Sequence, residues 1–479
     1  MQTSAQRATV VYYATALTIY TALLAAGINF EYFWDNIQQI GNEGFFFYRN
    51  DFERLLVPMS PDEEIHGTGY HMPAIAFATA LLWKCFGMHL WVSHVLTFII
   101  ALPLIVATRR LARRTVGCRY ADITALIVLT EPSVLTQFVM ASPDFVMLSA
   151  FMCGACALAL NRRAALMLCI AALCMTNMRG VFAAGCALPA IAYVCRRRHA
   201  SWADALRRTL IIYLPAALVM LTYYTALFAN YGWFFADSDY TEHYVPQTSL
   251  AGSIRHAAAL GLRTLEYGRF GIWIAAAAAL VMLRRQKAGA GSAVNALALF
   301  VLAQMLMFLA LIFVTQVPFG TRYLMLLHAA LTIATLAALA QRLSPRLMRL
   351  ALGAVIALQL TGHFWIYPER ISQPWDCTLM HTPYYRLKPR MISHIDSLGI
   401  SGHDVQTGFV LSANPRQAAL DSTITRLCGD STAHYYLYSN ICNEEDSTID
   451  RLHDTTLWQP VHHIESGVVF MTLYRRAGQ

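Results

Sequence analysis

Apolar residues run through this chain in blocks, separated by short polar turns. A helix rises 1.5 Å per residue, so roughly 20 apolar residues cover the ~30 Å hydrocarbon layer of a bilayer. Blocks of this kind predict spans at Val10–Ile28, Val92–Thr108, Ala121–Ala141, Phe145–Leu160 and Ala164–Met178. More follow at Val181–Cys195, Arg208–Ala229, Phe270–Leu283, Ala293–Val314, Tyr323–Ala340 and Leu350–Ile366. The first block is read as an uncleaved helix, because it is too long for the apolar part of a signal peptide and other spans come after it. Pro73–Phe86 is shorter. If it crossed, the cluster Arg109, Arg110, Arg113, Arg114 and Arg119 would share a face with the acidic loop before it, so it is read as an interfacial helix. The clusters at Arg162–Arg163, Arg196–Arg198, Arg284–Lys287 and Arg342–Arg349 then all fall on one face, the inner one by the positive-inside rule.

This predicts an all-α polytopic membrane domain of about eleven transmembrane helices over residues 1–366, with interfacial helices in the first external loop. The N-terminus is inside, and residues 230–269 read as a polar external loop. After residue 366 the pattern changes. Arg386–Leu398 has helical spacing, while Val405–Leu411, Tyr435–Tyr438 and Val468–Leu473 read as strands between turn residues. Residues 367–479 are therefore expected to form a small α/β C-terminal domain on the external side.

Composition agrees. The chain is 57% hydrophobic and 13% charged, with a mean hydropathy of +0.44, whereas soluble domains spend about 25% of residues on charge. The net charge of +8 resides mostly in the short inner turns, which is topology rather than a nucleic-acid footprint. Cys153 and Cys156 form a CxxC within an apolar helix, a packing position rather than a metal or redox pair. Cys377, Cys428 and Cys442 allow at most one intrachain disulfide in the C-terminal part, with Cys428–Cys442 one choice.

The candidate chemistry centres on the loop 29–73, dense in Asp, Glu, His and aromatics of the kind found at membrane boundaries. Asp35 lies just beyond the first span. A carboxylate fixed there suits a general base, or else is a solvated acid or a helix cap. Asp62, Glu63, Glu64 and His66 could hold a divalent cation or form a solvated loop. His71-Met72-Pro73 places an ionisable ring before a helix N-terminus, where a phosphate would fit. Asp144, in Ser142-Pro143-Asp144, starts a later span at the same face, as a second acid or as an N-cap. Glu131 is an acid inside a span and calls for a partner. Arg179 and Arg322 stand at external helix ends, against the charge rule, and can hold phosphate or pair with Asp144 or Glu131. Arg269 is similarly placed, beside other charge. The acidic, aromatic segment Asp237–Tyr244 has no assigned role.

In their order, Asp35, His71-Met72-Pro73, the Arg109–Arg119 turn, Asp144 and Arg322-Tyr323-Leu324 resemble the GT-C superfamily of integral-membrane glycosyltransferases. The resemblance is to the protein O-mannosyltransferase and aminoarabinose-transferase branch, over roughly residues 10–340. Asn36 stands where many relatives have a second acid, and Met72 where they have a proline. The resemblance implies a periplasmic-face active site in a bacterial cytoplasmic membrane, with Asp35 and Asp144 catalytic. His71, Arg179, Arg322 and Tyr323 would hold the phosphate of a polyprenyl-phosphate sugar donor. The acceptor would be a lipid, glycan or protein. Membrane lipids are the other partner expected, and nucleic acid is not one. No cofactor is implied beyond a divalent metal cation, for which Asp144, Glu64 and His66 are the candidates. The alternative is a transporter or flippase for a lipid-linked or small anionic solute, using the same arginines without chemistry. The long first loop and the lack of matching interrupted halves favour an enzyme.

Overall fold

The computed structural model describes residues 4–58, 71–199, 201–232, 249–285, 291–316 and 319–478. The chain is an integral membrane protein built mainly of helices. The first helix, α1 (Ser4–Gly27), leads into a loop with a π-helical stretch, Ile37–Asn42, that continues as α2 (Glu43–Arg49). Next come α3 (Ala74–Phe86), α4 (Leu90–Thr115), α5 (Ala121–Leu129) and α6 (Pro132–Val139). They are followed by α7 (Pro143–Ala159), α8 (Arg163–Thr176), α9 (Met178–Arg198) and α10 (Trp202–Tyr231). The membrane part ends with α11 (Leu250–Leu265), α12 (Phe270–Arg285), α13 (Ser292–Val314), α14 (Met325–Ala340) and α15 (Pro345–Thr361).

Among the described residues, 7 helices are long and apolar enough to cross a bilayer, or 9 if each bent pair counts as one span. With 17 and 14 residues, α7 and α8 fall short of that length, so the expected eleven is not reached. The central span is the one containing α14, with 83% of its most apolar window buried, because alanines along one helix let neighbours approach from every side. By contrast, α10 buries only 17% of its window and faces outward.

Two spans break. Between α5 and α6 the helix bends by 56° at Glu131-Pro132, where proline has no N–H to donate and Glu131 caps α6 by accepting from the Val134 N–H at 3.0 Å. Between α11 and α12 the bend is 91°. It needs positive φ at Tyr267 (56°) and Gly268 (80°), and a Cβ on Gly268 would lie 2.1 Å from the Leu358 carbonyl oxygen. The stretch read as an external loop before Arg269 thus contains α11, an amphipathic helix that its charges concealed.

Several of the loop aromatics face inward rather than outward. Tyr32, Phe45, Phe46 and Phe47 are buried with Ala76, Ala80 and Trp83 of α3, so the loop has a core of its own. The C-terminal part carries α16 (Tyr384–Ser397) and a four-stranded sheet. Its strands are β1 (Val405–Thr407), β2 (Tyr435–Ser439), β3 (Trp458–Ser466) and β4 (Val469–Arg476), in the order β1-β2-β4-β3. Only β1 and β2 are parallel. The sequence does not reveal β3, because it is an edge strand that is polar and mostly exposed. Leu387, Met391 and Ile395 of α16 pack on Val405, Leu437 and Leu473, and Phe33 and Met140 join the same cluster. Lys388 also pairs with Glu31 at 2.7 Å, tying this part to the membrane helices. All the cysteines are free, so the Cys428–Cys442 bridge does not form; Cys428 sits 3.3 Å from the His403 ring.

Candidate active site

Five charged side chains from five distant segments meet at one end of the bundle. Asp35 follows α1. Asp144 is fixed in the first turn of α7, whose N-cap Ser142 accepts from the Asp144 N–H at 3.1 Å. Arg179 is in the first turn of α9, capped by Asn177. Arg322 lies in a 3₁₀ turn, Thr321–Leu324, that opens onto α14, and Asp376 lies in the turn Trp375–Cys377. Helix ends carry most of these groups because the turns there aim side chains into a common space.

Asp144 is the hub. Its Oδ1 accepts from Arg179 Nε at 3.1 Å and from Asn177 Nδ2 at 3.0 Å. Its Oδ2 accepts from Arg179 Nη2 at 3.0 Å and faces Arg322 Nε at 3.1 Å. Arg322 turns one Nη to Asp35 and the other to Asp376. Arg179 Nη1 is 3.7 Å from Asp35. The Tyr323 ring lies under both guanidiniums, 4.4 Å from Arg179 and 5.4 Å from Arg322. Asp144 is only 2% exposed, whereas Asp35 keeps 36% of its side chain open. Asp35 is therefore the acid that a reactant can reach.

A second layer holds this one. Arg269 donates to Glu131 at 2.9 Å, to Ser133 at 2.9 Å and to the Thr321 carbonyl at 2.9 Å, next to Arg322. Glu266 accepts from Thr321 and from Tyr367, the latter at 2.7 Å. Gln137 donates to the Asp376 carbonyl at 2.7 Å. Trp34 and Ala141, just before Asp35 and the Ser142 cap, hold φ of 50° and 54°, a left-handed strain that this packing sustains.

Burial alone would raise the Asp35 carboxyl, but the guanidiniums of Arg322 and Arg179 outweigh it and hold it below the usual carboxylate range. His71 is shifted toward its neutral form. Burial first, then Arg179, pushes its ring down to about 3, and its Nδ1 accepts from the Met178 N–H at 3.0 Å. It is neutral near pH 7, with its proton on Nε2, and brings a hydrogen-bond donor rather than a positive charge.

Solved structures of one protein, in two states, share this architecture. The crystal structure of ArnT from Cupriavidus metallidurans bound to undecaprenyl phosphate matches at TM-score 0.54, with 14% identity over 98% of each chain. The chain has the ArnT fold. The apo state of the same ArnT matches at TM-score 0.53, with 14% identity over 98% of each chain. An oligosaccharyltransferase from Archaeoglobus fulgidus in the apo form gives a TM-score of 0.40 over 77% of this chain and 59% of that one, at 14% identity. No protein-family model matches the chain, and no curated protein sequence does. The likeness to ArnT is one of fold.

Within the ArnT fold, Asp35, Asp144, Arg179, Arg322 and Tyr323 come together, and His71 lies beside them, near enough that its ionisation and that of Asp35 are coupled. Glu64 and His66, like Asp62 and the segment Asp237–Tyr244, lie outside the described residues. Asp144 does not suit a divalent cation, since two guanidiniums and an amide already face its oxygens. Among the described residues no metal-ligating group of three or more side chains converges. Sequence reasoning missed Asp376, a single acid in a Trp-Asp-Cys turn with no local signal. It also ranked Arg269 low, although Arg269 is the partner that Glu131 required.

Proposed function

We propose that the chain transfers a sugar from a polyprenyl-phosphate-linked donor to an acceptor hydroxyl or amine at the external face of a bacterial cytoplasmic membrane. In this reading the N-terminus is inside and residues 367–479 form an external domain over the site. One observation carries it: the half-open Asp35 carboxylate lies between Arg322 and Arg179, at the end of a helix bundle folded like ArnT. ArnT has been crystallised with undecaprenyl phosphate, and a ligand of that class suits one buried and one partly buried guanidinium at a membrane surface.

The donor's phosphate displaces Asp35 from the two arginines. Released from both cations, the carboxyl rises toward its ordinary range and becomes a better base. Asp35 then takes the acceptor's proton while the acceptor's lone pair attacks the anomeric carbon from the opposite face. The anomeric C–O bond breaks, and its electron pair stays on the phosphate oxygen. The configuration inverts, and the added negative charge develops between Arg179 and Arg322, where it is stabilised most. His71 donates Nε2–H to the phosphate, and Tyr323 supports both guanidiniums. Asp144, rather than orienting the acceptor or binding a metal, aims the arginines.

The test is incubation of the purified protein with a panel of polyprenyl-phosphate sugars, following free polyprenyl phosphate by mass spectrometry. Release that depends on an acceptor supports sugar transfer. Passage of intact donor across proteoliposomes without release would instead indicate a transporter.

A further inference from the structure

A second built feature lies at the other end of the bundle. Asp144 and Leu158 are 14 residues apart on α7, and Arg179 and Arg198 are 19 apart on α9. At 1.5 Å per residue these separations are about 21 and 28 Å, close to a full bilayer core. There a narrow apolar groove, partly open to the outside, runs between α7, α8, α9 and α13, lined among others by Phe151, Leu158, Leu166, Ile170, Ile191 and Phe300. It ends at Arg198. From that point a smaller polar pocket continues, walled by Arg162, Arg163, Arg198, His199 and Arg208. Leu158, Leu166 and Arg198 line both, so the two adjoin.

The arginines here are not neutralised. Arg198 is held by Asn161 at 2.8 Å and by the Leu158 carbonyl at 2.9 Å, neither of them an acid. Asp204, the acid nearest in sequence to Arg208, bonds its own helix cap, Ser201, at 3.0 Å. Among the described residues no ion pair joins Arg162, Arg163, Arg198 or Arg208 to a carboxylate. The positive-inside rule accounts for basic residues at this face. It does not account for an apolar opening between helices that leads away from them.

We propose that this feature binds an anionic glycerophospholipid of the leaflet opposite Asp35. One acyl chain fills the groove, and the phosphate lies among Arg162, Arg163, Arg198 and Arg208. Apolar walls suit the chain, and guanidiniums suit the phosphate. The lipid ties α7 to α8 and α9, whose far ends position Asp144 and Arg179. The proposal does not depend on the sugar-transfer reading.

The full-length protein in detergent is examined by native mass spectrometry with dioleoyl phosphatidylglycerol and with dioleoyl phosphatidylcholine, and by thermal shift with the same lipids and with inorganic phosphate. Phosphatidylglycerol is retained about tenfold better than phosphatidylcholine and raises the melting temperature, which inorganic phosphate leaves unchanged. The Arg162→Gln/Arg163→Gln variant loses this preference, and Arg162→Lys/Arg163→Lys keeps it. Should the glutamine variant fail to fold, Ala155→Phe, which fills the groove and keeps every arginine, loses retention of the lipid. Equal retention of the two lipids by the wild type overturns the proposal. So does an undiminished preference in the glutamine variant, undiminished retention in Ala155→Phe, or a thermal shift reproduced by phosphate alone.

Discussion

Asp376, in the turn beyond the last apolar helix, accepts from Nη1 of Arg322, the arginine whose Nη2 meets Asp35 287 residues away. The C-terminal part therefore contributes to the candidate site directly. Asp376 is 13% exposed and Arg322 8%, so little water is present to replace the contact. Asp376→Ala is expected to destabilise the protein by about 1–3 kcal/mol, the cost of leaving a buried donor unpaired. It should also loosen Arg322, lowering kcat/KM for donor turnover about tenfold, a shift of about 1.4 kcal/mol in transition-state binding. Thermal melting and donor titration check the two effects separately. Wild-type values for both would show that Asp376 is a bystander.

The Glu131–Arg269 pair carries the second prediction. The two side chains are 4% and 1% exposed, and Arg269 also holds the Thr321 carbonyl next to Arg322. Removing either partner leaves an uncompensated buried charge, expected to cost about 3–5 kcal/mol. Glu131→Gln and Arg269→Met should each lower the melting temperature sharply. The double variant should lose clearly less than the sum of the two, because neither charge is then stranded. Additive losses would mean that the two do not act as a pair.

How much of this was legible in the sequence follows from what each signal measures. Hydrophobic blocks locate helices well, so α1, α4, α9, α13 and α14 appear close to where periodicity puts them. They say little about bends: Glu131-Pro132 breaks an expected rod, and Tyr267-Gly268 turns sharply from a helix read as loop into α12. Arg179 and Arg322 stood out because they violate a charge rule, and Asp35 and Asp144 because they begin or follow spans. Asp376 broke no rule and could not be seen. His71 was legible as a position but not as a charge state, since burial and the nearby arginines, both tertiary effects, set its protonation. Phe45, Phe46 and Phe47 read as interfacial because sequence alone does not distinguish a small buried core from a membrane surface.

Asp35→Asn tests the proposed base. Loss of a positioned general base costs about 10²–10⁴ in rate, so turnover should fall by that order while the protein still inserts and folds. The effect on stability follows from the depressed Asp35 carboxyl. A group held below its unfolded value of ~3.9 contributes stability above that pH, and the contribution is lost as pH falls through the folded value. The melting-temperature gap between wild type and Asp35→Asn should thus be full at neutral pH and close in strong acid. Wild-type turnover in the variant would remove Asp35 from the chemistry, and a gap that stayed constant into strong acid would contradict its pairing with Arg322 and Arg179.

Gly268 offers a backbone test. Its φ of 80° is hard for any residue with a side chain, and an added Cβ would meet the Leu358 carbonyl at 2.1 Å. The 91° turn between α11 and α12 therefore has no room to relax at this point. Gly268→Ala is expected to cost at least about 1–3 kcal/mol, seen as a lower melting temperature or loss of folded protein on expression. Because Arg269 is the next residue, any folded fraction should also show weakened turnover. A variant as stable as the wild type would mean that the turn is not held in this conformation.

His71 gives a pH dependence of opposite origin to that of Asp35. Its ring is neutral when folded, with a pKa pushed down to about 3 by burial and by Arg179. In the unfolded chain it titrates near ~6.5. Between those values the unfolded state binds a proton that the folded state does not, so His71 favours unfolding progressively as pH drops from ~6.5 toward ~3. His71→Gln retains a hydrogen-bonding side chain but cannot take up that proton. The variant should lose less melting temperature than the wild type on going from pH 7 to pH 5, whatever its stability at pH 7. If His71 instead carried a positive charge to hold phosphate, its folded value would be raised and acid would stabilise the site. The wild type would then gain on the variant as pH fell, and the direction of that difference separates a neutral donor from a cation.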